Sequence, residues 1–212
     1  RTYPAAVHSS QNRHALIIGG RDASSNPTNN VWRISLGDGP AVPLGRWDFP
    51  DLSLPADAKV LAIDGDEAHV LIGTNNDGAW RYDSDQSTVH YSPATLGSAS
   101  GLVHDVRYDV DEQWAWIATY DAGAQLFDTS SDSLTPLQVY DSAELGTDDA
   151  FAVDLKPYYI TGIEDAAFIG TNANGLKWQY NDGSGWTWKT NFAGASIYDI
   201  AHRGHQDLWV SS

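Results

Sequence analysis

Residues 70–83 read VLIGTNNDGAWRYD, and residues 167–180 read AFIGTNANGLKWQY. In each, a short apolar run ends in Gly-Thr, a polar stretch closes on Gly, and a second apolar run follows. Asn and Gly tolerate the positive φ that tight hairpins require. Each phrase therefore predicts two antiparallel strands joined by a turn. The apolar run recurs as LIIGG (16–20), AWIAT (115–119) and LWVSS (208–212). Counted at Gly20, Thr74, Thr119, Thr171 and Ser212, the phrases lie 54, 45, 52 and 41 residues apart. A period of roughly 40 to 55 residues is the range of propeller blades.

The pattern extends outward from each phrase. An apolar strand and a polar turn precede it: AAVHSS-QNRH, KVLAI-DGDEAH, DVRYDV-DEQ, YYITGI-ED and YDIAH-RGHQD. A third strand follows in all but the last (VWRISL, GAWRYD, AQLFDT, LKWQY), then a weaker fourth (AVPL, TVHYS, LTPLQVY, GWTWKT). Four short strands per unit, joined by turns, make a blade. The expected fold is all-β: a β-propeller of four-stranded antiparallel blades at roughly 1–57, 58–101, 102–150 and 151–195, with part of a fifth at 196–212, all within one domain. A sandwich does not require one phrase at near-regular intervals. No stretch holds a 3.6-residue apolar period long enough for a helix. Residues 47–58 and 142–150 read as longer connections, with a short helical turn around Asp141 to Leu145. The half-written fifth blade predicts an incomplete portion of a larger ring, closed by further residues or another chain.

The chain sets 12 Lys and Arg against 28 Asp and Glu, a net charge of −16. Such a surface repels nucleic acid and anionic lipid. With no Cys, disulfides, thiolate metal sites and a cysteine nucleophile are excluded. No apolar run approaches the roughly 18 residues of a membrane span.

The stretches 105–119, 70–82 and 197–212, each a strand, an acidic turn and then an Ile-Gly-Thr-like phrase, resemble the two-component-regulator type of propeller repeat. Asn181 to Trp188, NDGSGWTW, is similar to the aspartate-box turn of sialidase-type propellers. The resemblance implies an exported bacterial protein, extracellular or periplasmic, of the kind found in sensor ectodomains and biofilm-matrix adhesins. Similar propellers also occur in secreted glycan-active enzymes.

The residues at these positions admit structural and functional readings. Thr74, Thr119, Thr171 and Ser212 are expected to cap turns, because no base recurs beside them. Trp32, Trp80, Trp116, Phe168, Trp178 and Trp209 are expected to pack between blades, each burying up to about 200 Å². Asp105, Asp154 and Asp199 stand near the start of the strand that precedes the phrase, where the second blade has Lys59. Converging on a propeller mouth, they are candidates for Ca2+ or for glycan hydroxyls, with Tyr108 and Tyr198 beside them. The structural alternative is that each acid ties its blade to the next through backbone hydrogen bonds. His104, Asp105, Tyr198 and Asp199 would suit a lyase or glycoside hydrolase, with His or Tyr as base. His202 and His205 flank a turn at Gly204 and do not have helical zinc spacing. Asn75, Asn76, Asp77, Asn172 and Asn174 are explained by turn geometry.

No cofactor motif or phosphate loop is present, and Ca2+ is the one candidate ion. The expected role is a non-catalytic binding or scaffold domain for extracellular polysaccharide or protein. A carbohydrate-active enzyme is the alternative, and a purely structural role the third reading.

Overall fold

The computed structural model describes the strand backbones 5–9, 14–18, 31–35 and 42–46, and residues 54–55, 58–65, 68–83, 87–110, 112–155, 164–181, 186–203 and 207–212. Four sheets have four strands each, in chain order from one edge to the other. The first holds β1 (Ala5–Ser9), β2 (His14–Ile18), β3 (Val31–Ser35) and β4 (Val42–Arg46). The second holds β5 (Val60–Gly65), β6 (His69–Thr74), β7 (Ala79–Asp83) and β8 (Thr88–Tyr91). The third holds β9 (Val103–Asp109), β10 (Trp114–Thr119), β11 (Ala124–Asp128) and β12 (Gln138–Tyr140). The fourth holds β13 (Ala150–Leu155), β14 (Glu164–Thr171), β15 (Leu176–Asn181) and β16 (Trp186–Asn191). A final pair, β17 (Asp199–Arg203) and β18 (Asp207–Ser211), stands as a two-stranded sheet. All described pairings are antiparallel.

The recurring phrase forms the second strand of every sheet, as expected. One strand differs from the sequence reading. The partner of AFIGT is AFAVDL, in β13, and not YYITGI, which lies outside the described residues. The short helical turn is present as α1 (Ser142–Leu145). Asp141 and Glu144 form a reciprocal capping box and Gly146 closes the turn at φ 75°.

First strands lie side by side in chain order: β1 by β5, β5 by β9, β9 by β13, β13 by β17. Between them the core is built face against face. Leu71, Ala79, Val89 and Tyr91 of the second sheet pack on Val106, Ala115, Ile117 and Phe127 of the third. Trp116, Ala118, Leu126 and Tyr140 of the third pack on Ala150, Val153, Ala167 and Ile169 of the fourth. Ala152, Phe168 and Leu176 of the fourth pack on Ile197 and Ile200. Ile117 and Trp116 are neighbours in one strand but face opposite sheets, and so are Ile169 and Phe168. Both faces of the second strand are buried, which is why its sequence is a continuous apolar run instead of an alternating one.

The small residue before each Thr follows from the same packing. A Cβ added to Gly170 would lie 2.7 Å from the Ile197 carbonyl oxygen, where the chain enters the last sheet.

Candidate functional site

The register within each sheet fixes which residues share a level on neighbouring first strands. Asp105 faces Ala118 and Asp199 faces Ser211, so these two acids occupy one level. Asp64 faces Leu71, Arg107 faces Trp116 and Asp154 faces Phe168, which puts all three at the next level on the same face. Asp154 is thus the counterpart of Arg107 and not of Asp105. The second sheet also carries an acid, Asp64, five residues beyond the Lys59 that interrupts the series in the sequence.

These groups form an inner polar layer. Asp64 Oδ2 accepts a hydrogen bond from the Tyr108 backbone N–H at 2.8 Å, and Asp105 Oδ2 accepts one from the Val153 N–H at 3.0 Å. Asp64 and Asp105 therefore each tie their sheet to the first strand of the next, the role the structural alternative gave to Asp105. Asp105 Oδ1 accepts from the Val106 N–H at 2.9 Å and from Arg107 Nη1 at 3.0 Å. Arg107 Nε lies 3.8 Å from Asp154 Oδ1, and its Nη2 donates to the Ile200 carbonyl at 3.5 Å. One guanidinium thus spans the third, fourth and last sheets. Burial pushes Asp64 up to about 6 and Asp105 up to about 7, against the lowering effect of Arg107. Burial alone would lower Arg107, but Asp105, Asp64, Asp154 and Asp199 together hold it above its ordinary value. The cation these carboxylates meet is the guanidinium. Among the described residues no three His, Asp or Glu side chains are gathered to hold a metal ion.

An outer layer lies one residue earlier on the same strands. The β5–β6, β9–β10 and β13–β14 registers each skip one residue at the same place: Leu61, His104 and Phe151. A β-bulge leaves its extra residue unpaired and re-aims the side chain. Tyr198, just before Asp199, holds the equivalent place in the last sheet, its N–H bonded to the Ser211 carbonyl. The bulges gather a rim: His104 meets Phe151 edge-on at 4.7 Å and Tyr120 at 6.0 Å, and Tyr198 stacks on Phe151 at 5.0 Å.

The set His104, Asp105, Tyr198 and Asp199 is therefore divided. His104 and Tyr198 belong to the rim, on either side of Phe151. Asp105 is engaged inward through both carboxylate oxygens, and Asp199 is exposed at that inner level. Tyr108 is apart from both layers. It is buried toward the second sheet, stacked on His69 at 5.1 Å. Tyr120, Asp149 and Phe151 were missed by sequence reasoning. The available signal was a bulky residue immediately before the inner-level position in three successive units: His104 before Asp105, Phe151 before Ala152, Tyr198 before Asp199. His202 and His205 side chains lie outside the described residues, as does that of Trp32.

No family model and no curated protein matches the chain. Solved structures do. The chain is similar to the extracellular domain of a hybrid two-component system, BT3049, from B. thetaiotaomicron, with 13% identity and a TM-score of 0.57, over 99% of this chain and 27% of that one. It is also similar to the extracellular domain of a one-component system, BT4673, from the same organism, with 15% identity and a TM-score of 0.59, over 95% of this chain and 25% of that one. The chain spans about a quarter of the length of these structures. At such identity the likeness is one of fold, an all-β array of antiparallel sheets.

Proposed function

We propose that the sheets are blades arranged around an axis through the inner polar layer, and that the chain is a non-catalytic binding module of an extracellular bacterial sensor or adhesin. The observation that carries this reading is the bulged rim. Three successive first strands break register at one level, and His104 and Phe151 so placed meet each other and Tyr198 in one aromatic row from three sheets. Arg107, reaching Ile200 from the third sheet, supports the axial arrangement. The similar solved structures are extracellular domains of bacterial sensors, which supports the proposed compartment and role.

A carbohydrate-active enzyme is the second reading. His104 sits beside a carboxylate, its Nε2 3.6 Å from Asp149 Oδ1. The division of the other candidates between two layers favours binding over turnover. A glycan array run with and without Ca2+, followed by product analysis of each hit, separates the readings. Retention without new reducing or unsaturated ends is expected, and cleavage products would replace the first reading with the second.

A further inference from the structure

Four aromatic rings from three sheets run along the rim in the order Tyr120, His104, Phe151, Tyr198. The two ends are open to solvent, Tyr120 at 49% and Tyr198 at 59% exposure. An exposed tyrosine ring offers a flat face on which the apolar face of a ligand can stack. Beneath the line, Asp149 is buried and its Oδ2 accepts from Asn172 Nδ2 at 2.8 Å. Its Oδ1 and His104 Nε2 are buried 3.6 Å apart, and neither has a hydrogen-bond partner. A carboxylate in that place favours the tautomer with the proton on Nε2. Burial keeps the imidazole below its ordinary pKa, against the pull of Asp149, and so neutral. Nδ1 is then a lone-pair acceptor on the partly exposed edge of the ring.

Ligand chemistry follows from this arrangement. His104 Nδ1 is the acceptor this arrangement offers, and it asks for a ligand that donates a hydrogen bond. A molecule with a net charge of −16 disfavours an anionic one. A flat C–H face suits the tyrosines. A pyranose combines hydroxyl donors with such a face.

We propose that the shelf from Tyr120 to Tyr198 binds an uncharged pyranose of a glycan. Tyr198 stacks on the sugar, His104 Nδ1 accepts a hydroxyl proton, and Asp149 acts as a positioning residue for the imidazole. The proposal rests on the binding-module reading and names its ligand class and contacts.

The test titrates the purified 212-residue chain with methyl β-glucopyranoside, methyl β-galactopyranoside and methyl α-mannopyranoside, followed by NMR of the aromatic side chains. Contacts of this size give a Kd of about millimolar. Shifts are expected at His104 and Tyr198. Tyr198→Ala is expected to weaken binding at least tenfold and Tyr198→Phe less. Trp209→Ala, on another face, leaves binding unchanged. No change at the rim with any glycoside overturns the proposal. So does tighter binding of methyl glucuronide, or a lysine-rich peptide that shifts the same resonances where the sugars do not. A sugar that binds Tyr198→Ala as well as the native chain overturns this site and leaves the binding-module reading standing, whereas cleavage of a bound oligosaccharide overturns that reading itself.

Discussion

Thr74, Thr119 and Thr171 are fully buried, and each hydroxyl donates to the carbonyl of the glycine four residues on, at 2.7–2.8 Å. Thr119 Oγ1 also accepts from the Ala122 N–H at 3.0 Å, and Thr74 Oγ1 from the Asp77 N–H at the same distance. This cap was legible in the sequence because Thr and Gly recur at fixed spacing and both act locally. Thr119→Val keeps the shape and removes the hydroxyl, leaving the Ala122 N–H without its partner while the Gly123 carbonyl keeps the Thr119 N–H. A loss of about 1–3 kcal/mol is expected in urea unfolding. The inner acids were harder to read. Asp64 and Asp105 do the same thing, yet they stand at different levels, and only the cross-strand register reveals it. Their raised pKa values have a consequence for stability. Between the unfolded value near 4 and folded values of about 6 and 7, the native state binds more protons than the unfolded one. Stability contributed by these protonated acids is complete below about pH 4 and is lost as pH rises through 6 to 7. Asp105→Asn is expected to flatten the fall in Tm between pH 5 and pH 8 by at least about 3 °C, the effect of roughly 1 kcal/mol in a chain of this length. An unchanged pH slope in scanning calorimetry would count against the assignment.

Among the elements, the second strands were the most legible, because burial on both faces writes an uninterrupted apolar phrase. The first strands were less so. β13 holds Asp154 among small and apolar residues, and its true partner in β14 is decided by pairing, not by composition. The aromatics sort by strand. Trp116 and Phe168, on second strands, are buried against the next sheet. Trp80 and Trp178, on third strands, stack within their own sheets, on His90 and on Phe168, and the indole N–H groups donate to Asp77 and Asn191. Trp209 corrects the expectation that all such residues pack between blades. It holds the position of Trp116, since it faces Ala201 as Trp116 faces Arg107, but it is 63% exposed. The same substitution at the two sites therefore has different costs. Trp116→Ala empties a filled interface and is expected to lose about 3–5 kcal/mol. Trp209→Ala is expected to stay within about 0.5 kcal/mol of the native chain. Chemical denaturation of both variants in parallel checks the pair, and equal losses would mean that the two positions are not distinguished by packing.

At the scale of the whole molecule, polar ties run between sheets at both their outer and inner margins. On the outer side, Arg81 of the second sheet bonds the Thr129 carbonyl at 3.0 Å and Asp132 at 2.7 Å, beyond the third strand of the third sheet. Gln125 reaches back to the Leu96 carbonyl, and Tyr140 donates to Gln179 of the fourth sheet at 2.9 Å. On the inner side, Arg107 is the shared partner. Hydrophobic contact is tolerant of sliding, whereas a guanidinium held by Asp105, Asp154 and the Ile200 carbonyl fixes how the third, fourth and last sheets sit against one another. A buried charge network of this kind is costly when half removed: taking out one partner leaves charges buried without compensation, a loss of about 3–5 kcal/mol. Arg107→Met keeps much of the side-chain volume and removes the charge. Without the guanidinium, the lowering effect on Asp64 and Asp105 disappears, so both acids hold their protons to higher pH than in the native chain. The variant is therefore expected to lose most at pH 8, where the native acids are ionised against the guanidinium and those of the variant have no such partner, and to recover much of the difference at pH 5, where Asp64 and Asp105 are neutral in both chains. Urea unfolding of native and Arg107→Met chains at pH 5, 6, 7 and 8 reads this directly. A deficit that is the same at every pH would show that Arg107 contributes through packing alone, and the inner polar layer would then be a hydrogen-bonded seam and not an electrostatic one.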